Sequence, residues 1–200
     1  MPASSFPRRR LRSRAVPIVL TGMAALALSA CEEDPTVQAQ AFPDVASCLD
    51  EADEVDASFT AQDCETAFAA AQAAHLESAP RYEDEALCEE QHGGECMVEV
   101  GPSGPVFMPI LTGYLLVRAL TGNSRPLLSQ PLVSRPGGFA TVSGDTRLTS
   151  NSGAAEMRTS AFRAAPSTRL APPLSRATVA QRGGFGQTRT AIGGRGGVGG

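Results

Sequence analysis

Apart from Cys31, the chain has four cysteines, and these and its two histidines are the residues that could bind zinc or form disulfides. They are Cys48, Cys64, His75, Cys88, His92 and Cys96. Structural zinc sites place ligand pairs two to four residues apart, and the spacings here are wider and irregular. In an exported chain, an even number of cysteines is typical of disulfides, and four cysteines allow three pairings. We therefore predict two disulfides and no metal site.

A weak internal repeat favours one of the three pairings. The run Phe42-Pro43-Asp44 precedes Cys48 as Tyr82-Glu83-Asp84 precedes Cys88. Each unit then continues through an acidic stretch to a second cysteine, so the repeat favours the local bridges Cys48 to Cys64 and Cys88 to Cys96. Aspartate is a good residue to cap the start of a helix, and each unit is predicted to hold a short helix that begins after its aspartate.

Neither histidine has a nucleophile or a carboxylate at a spacing that would place it beside the ring. A catalytic site therefore has no support in the sequence, and we expect no enzymatic activity and no cofactor. His75 is expected to be a structural residue at the edge of a packed helix face.

The first 31 residues have the layout of a bacterial lipoprotein signal. Five arginines, between positions 8 and 14, precede the short apolar stretch Ala15 to Leu28, and Ser29-Ala30 stands directly before Cys31. We predict that residues 1–30 are removed and that Cys31 is lipidated. An uncleaved N-terminal anchor and a plain secretory signal are the alternatives. Because residue 32 is Glu and not Asp, the outer membrane is the predicted location, with the protein on the periplasmic side of the cell envelope.

Charge divides the mature chain into two halves. Residues 32–100 carry 19 Asp and Glu against Arg81 alone, a formal charge of −18. Residues 101–200 carry 11 Arg against two acidic residues, a formal charge of +9. We take residues 31–100 as an acidic domain that contains the cysteines.

The acidic domain is predicted to be helical. Gln62 to Glu77 is rich in alanine, and Cys64, Phe68, Ala71 and His75 recur at helical spacing as its buried face. The predicted fold is a small, mainly α-helical domain stabilised by disulfides, followed by one apolar helix and a long disordered C-terminal tail.

That apolar helix is predicted within residues 101–122, after the linker Gly101 to Pro105. Pro109 suits the first turn of a helix and Gly122 its end. Apolar residues cover nearly the whole circumference, which is more than a small acidic domain could bury. Two interpretations stay open: a core helix packed on the disulfide-bonded unit, and a helix that docks on a partner or on the membrane surface, which is the one the functional hypothesis uses. The residues assigned to docking are Phe107, Met108, Leu111, Tyr114, Leu115 and Arg118.

Residues 123–200 are rich in Arg, Ser, Thr, Pro and Gly and are predicted to form a disordered basic tail. The run Arg182-Gly183-Gly184-Phe185-Gly186 resembles RNA-binding repeats, but a chain outside the inner membrane meets little RNA. We expect no nucleic-acid partner.

The ordered set of motifs resembles the YgiB-type family of proteobacterial lipoproteins. The residues that carry the resemblance are Cys31, the four later cysteines, Thr66-Ala67-Phe68, Ala79-Pro80-Arg81-Tyr82, Met108-Pro109, Gly113-Tyr114, Arg118, Gln130-Pro131-Leu132 and the run from Arg182 to Gly186. The resemblance implies an envelope lipoprotein and no established activity.

These observations favour an interaction or structural module that docks on another envelope component, tethered to the membrane by its lipid. The alternative is a binder of small cations or polyamines through acidic clusters of the head. The strongest such cluster contains Asp50, Glu51, Asp53, Glu54 and Asp56.

Overall fold

The computed structural model describes residues 34–101, 104–118 and 126–182. These residues form eight β-strands, four α-helices and one 3-10 turn. The strands are β1 (Thr36–Phe42), β2 (Cys96–Gly101), β3 (Gly104–Pro109), β4 (Leu111–Arg118), β5 (Leu127–Arg135), β6 (Gly138–Thr141), β7 (Arg147–Leu148) and β8 (Gly153–Arg158). The helices are α1 (Val45–Ala52), α2 (Ala61–Ser78), α3 (Glu85–His92) and α4 (Arg176–Gln181), and the 3-10 turn is Thr159–Phe162.

Six strands form one antiparallel sheet in the order β7-β6-β5-β4-β1-β8. At one end of the sheet Thr36 of β1 lies opposite Arg158 of β8. At the other end Leu111 of β4 lies opposite Val133 of β5. The end strands β7 and β8 follow each other in sequence, yet the described residues form no ladder between them.

The sheet is packed on both faces. On one face α1 and α2 cover a cluster that includes Phe42, Tyr114 and Leu116. On the other face Leu115, Val117 and other apolar side chains form a second cluster, against which the 3-10 turn packs. Leu148 of β7 and Met157 of β8 also belong to this second cluster. The sheet therefore curls until its two end strands approach the same core.

A second, two-stranded sheet pairs β2 with β3. Tyr82 bridges this pair to the chain around Leu174, and α3 packs beside it. Arg81 is only 5% exposed and joins these parts: it pairs with Glu99 of β2 and donates to the carbonyl oxygens of Leu76 and Ala79. Because Arg carries five N–H donors, one side chain can satisfy several buried acceptors at once.

The prediction of a mainly α-helical fold is wrong, because most of the ordered framework is antiparallel sheet. The predicted Met-Pro helix is instead β3 and β4, which meet at Ile110. From Gly113 to Val117, β4 is buried on both faces, under helices on one side and the second cluster on the other. A strand buried on both faces reads as a continuous apolar run, so its sequence lacks the alternation that marks a half-exposed strand.

The prediction of a disordered tail from residue 123 is also wrong over 126–182. This stretch supplies β5 to β8, the 3-10 turn and α4. Pro131 lies within β5 and has no backbone N–H. The part of β5 that pairs with β6 does not include Pro131, so no hydrogen bond to β6 is lost. The run from Gly183 onward lies outside the described residues.

Expectations for the helices of the acidic half are met, although β1 and β2, which were not predicted, also draw on this segment. The predicted helix Gln62 to Glu77 is α2, with Cys64, Ala71 and His75 buried. The side chains of Asp44 and Asp84 accept from the backbone N–H groups of Ser47 and Leu87, which makes them the caps of α1 and α3. Within the described ranges, no helix has the length and apolar character needed to span a bilayer.

Candidate functional site

The four cysteines form two local bridges, Cys48–Cys64 and Cys88–Cys96. This is the pairing that the internal repeat favours. The first bridge ties α1 to α2 inside the cluster beneath the helices, and the second ties α3 to β2. Their sulfurs are therefore committed to the framework. Cys31, the predicted lipidation site, lies outside the described residues, as do residues 1–30.

Both histidines are buried and hold backbone segments together. His75 Nε2 lies 2.8 Å from the carbonyl oxygen of Pro109. His92 is fully buried, with Nδ1 3.1 Å from the carbonyl oxygen of Ser134 and Nε2 3.0 Å from the hydroxyl of Tyr82. A carbonyl only accepts, so Nδ1 carries the proton and Nε2 accepts from Tyr82. Burial lowers the pKa of His92 to about 4, so the ring is neutral near pH 7.

The six residues predicted to dock on a partner do not form one exposed face. Met108, Tyr114 and Leu115 are fully buried in three different clusters of the core. Phe107 and Leu111 are half-buried, and Arg118 forms an ion pair with Asp63 of the α2 capping box. These side chains build the fold, so they are not available together as a docking surface.

The acidic residues between positions 50 and 56 lie at the end of α1 and in the chain that follows it. Asp53, Glu54 and Asp56 are exposed, and the carboxylate of Glu51 accepts from Gln40 of β1. The part of the chain that the structure describes contains no group of three or more His, Cys, Asp or Glu placed to hold a metal ion.

A cleft of about 760 Å³ lies between the unpaired end strands β7 and β8, at the open seam of the sheet. We call it the seam cleft. Its walls come from β7, from β8, from the link between them and from the chain after the 3-10 turn. Leu148, Ala155, Met157 and Ala161 supply apolar surface where the cleft meets the second cluster.

Apart from further small apolar residues such as Ala154 and Ala165, the lining is polar and carries more positive than negative charge. Three arginines face two acidic residues, and six hydroxyl side chains complete the set. These residues are Arg147, Arg158, Arg163, Asp145, Glu156, Ser143, Thr146, Thr149, Ser150, Ser152 and Ser160. Arg158 and Arg163 are exposed. Guanidinium and hydroxyl groups suit hydrogen bonding to carboxylate and phosphate oxygens.

Asp34 fixes the start of the described chain to one rim of the seam cleft. Its carboxylate accepts from the hydroxyl of Thr159 at 2.6 Å, from the backbone N–H of Ser160 at 3.1 Å and from the Ser160 hydroxyl. The hydrogen bonds from Ser160 and Thr159 lower the pKa of Asp34, and the positive charge of Arg163 lowers it further. The carboxylate is therefore ionised near pH 7.

All the residues that line this cleft except Ala41 of β1 fall within 123–200, the segment predicted to be a disordered tail. The prediction of disorder followed from their Ser, Thr and Arg content. Exposed edge strands and polar loops have the same composition as disordered chain. One local feature of the sequence does indicate a strand here. Within β8, from Gly153 to Arg158, Ala155 and Met157 alternate with exposed residues.

Comparison with known proteins places the chain in a family. Residues 36–194 match the family described as "Protein of unknown function (DUF1190)". The chain belongs to the DUF1190 family. A UPF0441 protein of Sodalis glossinidius is 28% identical over 200 residues, which cover 92% of this chain and 86% of that protein. A UPF0441 protein of Erwinia tasmaniensis is 29% identical over 206 residues, with the same coverage of both chains.

The DUF1190 match confirms the resemblance to an uncharacterised YgiB-type family. It extends through β1 to α4 and so includes the seam cleft. No solved structure matches the chain.

Proposed function

We propose that this DUF1190 protein is a lipoprotein of the bacterial cell envelope, anchored through Cys31, that binds another envelope protein at the seam cleft. The proposed role is binding without catalysis. Support for the anchor comes from the sequence, where Ser29-Ala30-Cys31 follows an arginine-rich start and an apolar run.

The observation that carries the binding role is the open seam. Edge strands leave backbone N–H and C=O groups available to a partner, and folded proteins usually pair, cover or shorten such edges. Here β8 has six residues and pairs on one side with β1, while its other side borders the cleft. A volume of about 760 Å³ lies in the range of known ligand sites.

Site-specific photo-crosslinking in living cells tests this proposal. A photoreactive residue replaces Ser150, an exposed residue of the cleft lining, and in a matched control it replaces Glu89, an exposed residue of α3. We expect one recurrent protein adduct from position 150 that is absent from position 89. The same adducts from both positions, or lipid adducts alone from position 150, would contradict a protein-binding cleft.

A further inference from the structure

The position of Asp34 limits how far the seam cleft can lie from the anchored end of the chain. Thr159 and Ser160 hold the Asp34 carboxylate through three hydrogen bonds, and the backbone N–H of Thr159 donates to the Pro35 carbonyl at 2.9 Å. Cys31 is three residues earlier. Three residues span at most about 10 Å whatever path they take. An acylated Cys31 therefore keeps the backbone of Asp34 within about 10 Å of the anchored residue, and Asp34 contacts Ser160 at this rim of the cleft.

The side chains at this rim are suited to that surface. Arg158 ends β8 opposite the first residue of β1, and Arg163 follows the 3-10 turn. Both side chains are exposed, and Arg158 forms no ion pair with a described residue. Each basic residue near an anionic leaflet contributes about 1 kcal/mol of attraction, which is roughly fivefold in an equilibrium.

The acidic helix α3 lies towards the other end of the sheet, whereas Asp63 pairs with Arg118 at the end of β4 nearer the rim. His92 of α3 bonds to Ser134, which is next to Val133 at the end of the sheet where β4 begins. The exposed carboxylates of Glu85, Glu89 and Glu90 belong to α3. The nine residues of β5 span about 30 Å along the sheet, and Gln130, within this strand, donates to the carbonyl oxygen of Arg163. An anionic bilayer would repel this acidic end and attract the rim that carries Arg158 and Arg163.

We propose that the rim of the seam cleft that carries Arg158 and Arg163 rests on the bilayer and that these two guanidinium groups bind the phosphate groups of lipid headgroups. The protein then stands on the membrane with α3 pointing away, and the rest of the cleft opens towards a partner at the membrane surface. This inference rests on the proposed anchor at Cys31.

A spin label measures which end of the anchored protein lies near the lipid. The full lipidated protein is reconstituted in vesicles of phosphatidylcholine and phosphatidylglycerol that also hold Ni²⁺ on chelating headgroups. The label is attached to Ala164→Cys, an exposed position of the cleft lining, or to the control Glu89→Cys. The native cysteines after residue 31 are in disulfides, so the introduced thiol is the one that reacts. We expect strong relaxation by Ni²⁺ at position 164 and weak relaxation at position 89.

A charge test separates lipid binding from simple tethering. Arg158→Gln combined with Arg163→Gln should weaken the relaxation at position 164, because each lost arginine lowers the preference for this orientation roughly fivefold. The control pair Arg169→Gln and Arg176→Gln removes the same amount of charge outside the rim. This control should leave the relaxation at position 164 unchanged. Unchanged relaxation in the rim variant would overturn the phosphate contact.

Failure of the orientation and failure of the anchor give different results. Equal relaxation at positions 164 and 89, with the acylated protein retained in the vesicles, would overturn the orientation and leave the anchor intact. Protein without acyl chains on Cys31, or protein that leaves the vesicles, would overturn the anchor and this inference with it.

Discussion

Protonation of His92 should make the protein less stable as the pH falls from 7 to 5. The ring is fully buried, and its acceptor atom Nε2 is already occupied by the Tyr82 hydroxyl. Burial lowers the pKa from 6.5 to about 4 in the folded chain. Between these two values the unfolded chain binds the proton and the folded chain does not, so stability is lost as the pH falls.

The size of the effect follows from the two pKa values. A group that titrates at 6.5 in the unfolded chain and at about 4 in the folded chain removes about 2 kcal/mol of unfolding free energy between pH 7 and pH 5. The pKa of His75 is also lowered by burial, so its contribution has the same sign. The lowered carboxylates Asp34, Asp44 and Asp63 have pKa values below 3.8, which places most of their contribution at lower pH.

Urea unfolding followed by circular dichroism at pH 7, 6 and 5, without reductant, measures this loss. His92→Gln should lower stability at pH 7 by about 1 to 3 kcal/mol, because it disturbs two buried hydrogen bonds, and it should remove most of the pH dependence. His75→Gln is the control that keeps the His92 contribution. A wild-type stability that is the same at pH 7 and pH 5, or a pH dependence in His92→Gln as large as in the wild type, would contradict this role of His92.

Three further changes test the framework, each by urea unfolding. Arg81→Leu should lower stability by about 3 kcal/mol, because it leaves Glu99 and two carbonyl groups without their donor, and a loss under 1 kcal/mol would contradict this. Cys48→Ala with Cys64→Ala opens a loop of 16 residues and should cost about 3 kcal/mol; an unchanged urea midpoint would contradict it. Gly138→Ala should lower the free energy of unfolding by at least about 2 kcal/mol, because φ is +147° and a Cβ would lie 2.2 Å from a β7 carbonyl oxygen. Wild-type stability in this variant would contradict that close approach.

The helices and disulfides of the acidic half were predictable because their signals are local, whereas the strands β1 and β2 were not. Asp44 and Asp84 cap helices through bonds to residues three positions on, and α2 follows from alanine content and a cap. The favoured disulfides also join cysteines that are close in sequence. Such features need no knowledge of distant parts of the chain.

The sheet was not predictable in the same way, because its strands depend on partners far along the chain. Thr36 pairs with Arg158, and Phe42 pairs with Tyr114. The apolar β4 was read as a helix since burial on both faces removes its alternation. The polar end strands were read as disordered, and with them the seam cleft was missed.

The mass of the N-terminal peptide of the mature protein shows whether Cys31 carries the lipid anchor. Mass spectrometry of the protein purified from bacterial membranes should find a peptide that begins at Cys31 and carries a diacylglyceryl group and an N-linked acyl chain. An unmodified Cys31, or a mature chain that begins elsewhere, would contradict the account of an anchored envelope protein whose seam cleft is held at the bilayer.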